Sequence, residues 1–341
     1  MLNKIELILL WIVRILFAPN HFKVPLHKRI RYSICGGFMV DQVAMYDFPK
    51  SDKHEYLSEF DWHKSRHINA PYSSMLNNKV VFGEIVSRYC PSPEIYAVER
   101  HGRIVGTNGN VFSYPALFEL LKEKGALVIK PVDIGKGSNI HILKWENGEI
   151  IRNGVSVTQA ELTKMLSKSH DWFVCAYAKQ ADYLMNIFPD SANTIRMIVL
   201  RSAETHEFEL SYAVQRIGAS WTGAIDNGSQ GGLIAKVDIE SGEMTEARTL
   251  HNLEVYDNHP DTGAPIKGVV IPNWESIKKG VLEVSSRFPY LDIIAWDILP
   301  TEDGFTVIEA NTSSGVNIIQ LWGGQRNGRL GEFYREHGII K

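Results

Sequence analysis

The sequence predicts an α+β fold, and three features predict it. A hairpin-rich stretch lies near residues 125–180, β-branched and aromatic runs dominate from residue 194, and helical patterns with capping residues stand between them. With 341 residues the chain is large for one domain and suits subdomains sharing a cleft.

Residues Ile5 to Phe17 (IELILLWIVRILF) are apolar apart from Glu6 and Arg14, and Pro19 follows. The run is short for a membrane span, and no small-residue cleavage site follows it. Two readings stand: a helix docked on the protein, or an interfacial helix at the inner face of a membrane. In the second, Lys4, Arg14, Lys23, His27, Lys28, Arg29 and Arg31 supply positive charge beside it. Residues 22–78 are aromatic and His-rich without clear period, and no element is assigned there. From Lys79, Val80, Val81, Ile85 and Val86 recur at helical spacing until Pro91 and Pro93 end the pattern.

Ala126 to Pro131 reads as a strand, followed by a glycine loop to Ser138 and a second strand, Asn139 to Trp145. Asn147-Gly148 makes a tight turn into Glu149 to Arg152. Thr158-x-x-Glu161 is a capping box opening a helix whose apolar face carries Leu162, Met165 and Leu166. Trp172 to Ala178, Thr194 to Leu200, Phe208 to Ile217 and Leu233 to Ile239 read as strands. Asn273 is expected to cap a helix burying Trp274, Ile277, Val281 and Val284; Leu291 to Leu299 and Phe305 to Ala310 then form a hairpin.

The hydrophobic fraction is 44% and the net charge −3, so no basic excess points to nucleic acid as a partner. Cys35, Cys90 and Cys175 are far apart and form no C-x-x-C pair, which disfavours a disulfide scaffold or zinc cluster and fits a reducing cytoplasm. There is no G-x-S-x-G, and none of the 12 histidines lies in H-E-x-x-H. A nucleophilic triad is therefore not expected, and Walker A is absent too.

The chemistry-bearing residues lie elsewhere. Asp297 on one strand, and Glu309 and Asn311 on one face of the next, are polar groups in otherwise apolar strands. They suit a Mg²⁺ ion, or hydrogen bonds from loops or an arginine at the sheet edge. Lys130 with Gly135, Lys136, Gly137 and Ser138 suits a phosphate, or is a solvated hairpin. Arg196, after Asn193, can clamp a phosphate or carboxylate, or form a structural ion pair. Asn227, Gly231, Gly232 and Lys236 on one side, and Ser313 and Ser314 on the other, are weaker positions that suit the second substrate or belong to ordinary connecting loops.

In this order (Lys130 strand, glycine hairpin, helix, strand 172–178, Arg196 strand, Asp297, Glu309-x-Asn311) the chain resembles the ATP-grasp superfamily. NTIRMIVLR, WDILPTEDGFTVIEANTSSG and the opening NKVVFGEIVSRYCPSPEIY resemble its sugar-transfer-associated group, found with capsule and surface-polysaccharide pathways. The likeness covers roughly residues 78–325. It implies an ATP-grasp fold: 78–124 as the N-terminal part of the core, 125–180 as the lid lobe, 181–341 as the large lobe with the metal site. Residues 1–77 are left as a helical or irregular region for substrate or membrane docking.

The resemblance implies that Lys130 contacts the α/β-phosphates and that Gly135–Ser138 closes over the triphosphate. It implies that Ala176, Tyr177 and Ala178 meet adenine, and Asp182 the ribose. It implies, too, that Asp297, Glu309 and Asn311 hold two Mg²⁺ ions and that Arg196 stabilises charge on the transferred phosphoryl group. Cys175 departs from the acidic or amide residue usual at the hinge, and Arg100 or Arg103 is the basic residue at hand for a second phosphate contact upstream. The implied enzyme is cytoplasmic or peripheral on the inner membrane face. It joins a carboxylate, such as a sugar acid, to an amine acceptor at the expense of ATP. The alternatives are an ATP-dependent sugar kinase and a non-catalytic nucleotide-binding module of a glycan assembly.

Overall fold

The computed structural model describes residues 4–18, 20–48, 50–133 and 139–341. The N-terminal region, unassigned from sequence, is built of short helices. Helix α1 (Lys4–Leu10) runs on through a π-helical turn, Trp11–Leu16; α2 (Leu26–Lys28) continues the same way through Arg29–Ile34. Then come α3 (Val40–Met45), α4 (Glu59–Ser65), α5 (Ser73–Asn77) and α6 (Lys79–Val86). What holds the early part is an aromatic cluster of Tyr32, Phe38, Tyr46, Phe48 and Tyr56, with the Tyr46 and Tyr56 rings stacked 4.5 Å apart. Buried Gln320 fastens it to the body, accepting from the Leu57 amide at 2.7 Å and donating to the Leu57 carbonyl at 3.0 Å.

The next unit is a seven-stranded antiparallel sheet, order β2-β1-β7-β3-β4-β5-β6. Its strands are β1 (Ile95–Arg100), β2 (Arg103–Gly106), β3 (Ala126–Pro131), β4 (His141–Glu146), β5 (Glu149–Arg152), β6 (Val155–Val157) and β7 (Trp172–Ala176). The sheet thus takes in residues upstream of 125 as well. Asn147 and Gly148 both adopt positive φ (53° and 87°), as a two-residue hairpin turn requires. One face, with Leu127, Ile129, Leu143 and Val174, packs on α7 (Tyr114–Lys124) and α8 (Gln159–Leu166). Thr158 and Glu161 form the expected capping box on α8. The other face is left to the cleft.

A second antiparallel sheet follows, order β12-β11-β10-β9-β8-β13-β14. Its strands are β8 (Ile195–Arg201), β9 (Phe208–Ile217), β10 (Leu233–Val237), β11 (Met244–Arg248), β12 (Val255–Tyr256), β13 (Ile293–Thr301) and β14 (Gly304–Asn311). Helix α9 (Asp182–Ile187) leads into it, and α10 (Trp274–Ser285) buries Trp274, Ile277, Val281 and Val284 against one face, together with Phe82 and Val86 of α6. The opposite face packs on α11 (Val316–Ile319) and α12 (Arg329–Glu336). One expectation is corrected: Asn273 caps nothing with its side chain. It turns the chain instead by a left-handed backbone, φ 56° and ψ 27°, which asparagine tolerates better than most residues.

Candidate functional site

Register sets the site. Arg196 of β8 lies opposite Asp297 of β13, and Asp297 lies opposite Glu309 of β14, so the three side chains share one face across three adjacent strands. Further along that face the residues are apolar (Ile198, Leu200, Ile293), so the charged trio marks where the core face meets the cleft. A bulge in the β13–β14 pairing directly after Asp297 shifts the register there before the ladder resumes at Ile298 and Val307.

Arg196 grips Asp297 as a fork, Nε donating to Oδ1 at 2.5 Å and Nη2 to Oδ2 at 2.8 Å. Arg216 of β9 adds a contact from Nη1 to Oδ2 at 3.0 Å and donates from Nη2 to Asp226 Oδ1 at 2.5 Å. Asp226 Oδ2 in turn accepts from the Thr194 amide (2.9 Å) and hydroxyl (2.6 Å). The result is a chain of alternating charge, Arg196–Asp297–Arg216–Asp226, buried in the floor of the cleft. Burial alone would raise the Asp297 carboxyl, but the charges of Arg196 and Arg216 overcome that and hold it below the usual carboxylate range. Glu309 behaves oppositely. Burial and the neighbouring Asp297 charge push its carboxyl up against the pull of Lys79 and Lys130, and the Lys79 Nζ stands 3.7 Å away.

A cavity of about 850 Å³ opens above this floor. Its other wall is the free face of the first sheet, where Lys130 pairs with Phe173 and Val128 with Cys175, so Val128, Lys130 and Cys175 point the same way and line the space with Ile142. Ala176, Tyr177 and Ala178 line it too. Cys175 is buried, and that burial pushes its thiol up, which suits an apolar wall and not a nucleophile. At the far end the cleft is lined by Arg14, His21, Trp62 and Arg66 of the N-terminal region, opposite Asn227 and Ser313. Trp62 Nε1 donates to Ser313 Oγ at 3.1 Å, and Arg196 Nη1 to Ser314 Oγ at 3.2 Å.

Asp297 had two partners in prospect, cation or arginine, and the structure supplies the arginine. A carboxylate offers about four acceptor directions, and the three contacts to Arg196 and Arg216 leave Asp297 room for more. Among the described residues, no three His, Cys, Asp or Glu side chains gather as a metal cage. The set here is two carboxylates and an amide, and the Asn311 Nδ2 is buried without a hydrogen-bond partner. As a donor, that Nδ2 suits a phosphate oxygen, while the two carboxylates and the Asn311 amide oxygen make an all-oxygen set that fits a hard cation keeping waters and phosphate oxygens as its other ligands.

Several expected positions lie elsewhere. Asp182 is exposed on α9 and sits 3.8 Å from Lys179, outside the cleft wall. Asn193 is fully buried and spent on Gln180, the Phe188 carbonyl, Ser191 and Gly218, so it holds the β8 approach in shape. Gly231 takes the left-handed conformation that ends a short turn, and it, Gly232 and Lys236 do not line the cavity; Lys236 lies 5.7 Å from the Tyr212 ring centroid. Arg100 and Arg103 face each other at the exposed β1–β2 turn, and Lys79 is, among the described residues, the second lysine lining the cleft. Gly135, Lys136, Gly137 and Ser138 lie outside the described residues. Arg216, Asp226 and Lys79 escaped the sequence reading. The signal for Arg216 was the same as for Asp297, a charge inside an apolar strand.

Two antiparallel sheets closing on a cleft, with Lys130 on the lid side, Lys79 beside Glu309 and an Arg–Asp–Glu row on the floor, define an ATP-grasp protein. The chain belongs to the sugar-transfer associated ATP-grasp family, whose family model matches residues 64–329. Among solved structures it is similar to the ADP complex of purK, an N5-carboxyaminoimidazole ribonucleotide synthetase, at 10% identity and TM-score 0.42, over 71% of this chain and 46% of that one. It is also similar to the ATP-grasp ligase PsnB complexed with minimal precursor, Mg and ADP (14%, TM-score 0.39, 73% and 54%). The D-alanine-D-alanine ligase from Coxiella burnetii is another (11%, TM-score 0.37, 70% and 47%). The chain spans about half the length of these structures. No curated protein matches it.

Proposed function

We propose that this protein is an ATP-dependent ligase that activates a carboxylate as an acylphosphate and joins it to an amine, the acid being a uronic-acid sugar of a surface polysaccharide and the amine an amino acid. One observation carries the reading: Arg196, Asp297 and Glu309 stand in register across β8, β13 and β14 and share a single cleft with Lys79 and Lys130.

A carboxylate is a poor electrophile because displacement would expel oxide. Its oxygen therefore attacks the γ-phosphorus of ATP and ADP departs; the amine then attacks the acyl carbon, phosphate leaves with the C–O bond, and the amine gives up a proton. Catalysis of the first step is chiefly positioning and charge neutralisation. Lys130 and Lys79 hold the triphosphate oxygens. Arg196 faces the phosphoryl group in transit, oriented by its fork on Asp297. Val128, Ile142, Cys175 and the backbone of Ala176–Ala178 form the adenine wall. Asp297, Glu309 and Asn311 would hold Mg²⁺, two ions in the full set, and the bound metal would offset negative charge on the phosphates. At the far end Trp62 offers a stacking face and Arg66, 5.9 Å from its ring centroid, a cation, a pairing suited to a sugar bearing a carboxylate. The reaction runs in the cytoplasm, where ATP is available.

Incubation with ATP, Mg²⁺ and panels of uronic-acid sugars and amino acids tests this. ADP together with an amide supports the ligase. A stable phosphosugar replaces it with the kinase, and ATP binding without turnover on any panel replaces it with a nucleotide-binding module.

A further inference from the structure

The first helix is docked by one side only. Ile15 is buried, and Trp11 Nε1 donates to the Ile34 carbonyl at 3.0 Å, fixing the helix against the second one. The opposite side presents Ile5, Leu9, Val13 and Phe17 at four-residue spacing, with Ile8 beside them, all between 55% and 77% exposed. Arg29 Nη2 donates to the Leu16 carbonyl at 3.1 Å, so the second helical segment abuts the end of the first. There Leu26 and Ile30, also four residues apart, are exposed in turn. Seven large apolar side chains left in water by one short segment form more apolar surface than scattered exposure accounts for.

The charge around them is one-sided. Residues 1–35 hold six lysines and arginines and a single acid, Glu6, in a chain where acids outnumber bases 39 to 36. Lys23, His27 and Arg31 are exposed beside Leu26 and Ile30. No helix among the described residues is long and apolar enough to cross a membrane. An apolar stripe flanked by basic residues on a helix too short to span is the pattern of a helix lying in a lipid interface. A second copy of the chain fits worse, because a two-fold pairing of this face would bring its basic flank against itself.

We propose that this face docks the protein on an anionic lipid bilayer, with the Ile5–Leu9–Val13–Phe17 stripe entering the acyl boundary and Lys23, Lys28 and Arg31 meeting the headgroups. The other side of the same segment supplies Arg14, Ala18 and His21 to the far end of the cleft, so docking sets that end beside the membrane. The inference does not depend on the ligase chemistry, and its test needs no turnover.

The full-length protein is sedimented with phosphatidylglycerol-containing vesicles and with phosphatidylcholine vesicles, at low and high salt. Docking predicts binding to the first only, weakened by salt. Lys28→Gln with Arg31→Gln lowers the partition coefficient about 25-fold, at about fivefold for each charge near the surface. Val13→Asp abolishes binding and leaves the circular dichroism spectrum and ATP affinity of the soluble protein unchanged. Absence of binding to either vesicle overturns the proposal. So does equal binding to both that ignores salt and the charge variants, or a dimer in light scattering that Val13→Asp dissociates.

Discussion

Replacing Arg216 by methionine keeps the apolar stem of the side chain and deletes the cation between Asp226 and Asp297. Removing one partner of a buried ion pair costs about 3–5 kcal/mol. Two features reduce that here. Asp297 retains both Arg196 contacts, at 2.5 and 2.8 Å, and Asp226 retains the Thr194 amide and hydroxyl, at 2.9 and 2.6 Å. Since hydrogen bonds to charged groups are each worth about 1.5–3 kcal/mol, the surviving ones keep the loss near the lower end, about 2–3 kcal/mol. At roughly 2 °C per kcal/mol for a chain of this size, the unfolding midpoint falls by about 4–6 °C. Thermal unfolding followed by circular dichroism measures it, and Asp226→Asn in the same background sharpens it. Once Arg216 is gone, neutralising Asp226 removes an uncompensated charge, so the double variant loses less than the sum of the singles. A single-variant shift within about 0.5 kcal/mol of wild type, or strict additivity, refutes the buried charge chain.

Three further outcomes are expected. Lys130→Ala weakens ATP binding about 10- to 100-fold, the worth of a charged contact to phosphate, and leaves the unfolding midpoint close to wild type; calorimetric titration and thermal melts check the two together. Burial would raise the Glu59 carboxyl, but the His63 ring, its Nε2 3.6 Å away, and the Arg14 guanidinium at 2.6 Å hold it below its ordinary value of 4.5. The folded state thus binds fewer protons than the unfolded one, so the stability Glu59 contributes is present above that value and lost as pH falls through the folded pKa. Limited proteolysis should show residues 1–77 becoming cleavable over that acid range in wild type, while Glu59→Gln is cleavable at all pH values. Trp62→Ala raises KM for the acid substrate by about three- to tenfold, as loss of an aromatic contact does, with ATP affinity unchanged.

Where local chemistry decides structure, the sequence was readable. The Asn147-Gly148 turn, the Thr158–Glu161 capping box and the β-branched strands stand close to where their residues predict them. The Asp297 and Glu309 pairing was half legible: alternation put both on definite faces, but only the cross-strand register makes those faces the same one. Register is also why Arg216 stayed hidden, since its partner Asp226 comes from a loop and its alignment with Arg196 runs through the β8–β9 pairing, which carries a bulge. Residues 22–78 resisted because their helices are short or change from α to π within a few residues, and their packing is aromatic contact between non-periodic positions, such as Tyr46 on Tyr56. Asp182 and Asn193 show the limit of motif transfer: both residue types suit a ligand, yet one is spent on solvent and the other on its own backbone turn.

The measurement that tests the central claim is ATP titration into wild type and Glu309→Gln across a range of Mg²⁺ concentrations, with the unfolding midpoint of each recorded. If Asp297, Glu309 and Asn311 hold the metal of an ATP site, wild type binds ATP tightly only with Mg²⁺. Glu309→Gln then needs roughly tenfold more Mg²⁺ for the same affinity, the equivalent of about 1.4 kcal/mol, while its midpoint is preserved or raised by loss of a buried charge beside Asp297. ATP binding that ignores Mg²⁺ and is the same in both proteins would contradict it and leave the row as a structural ion-pair chain.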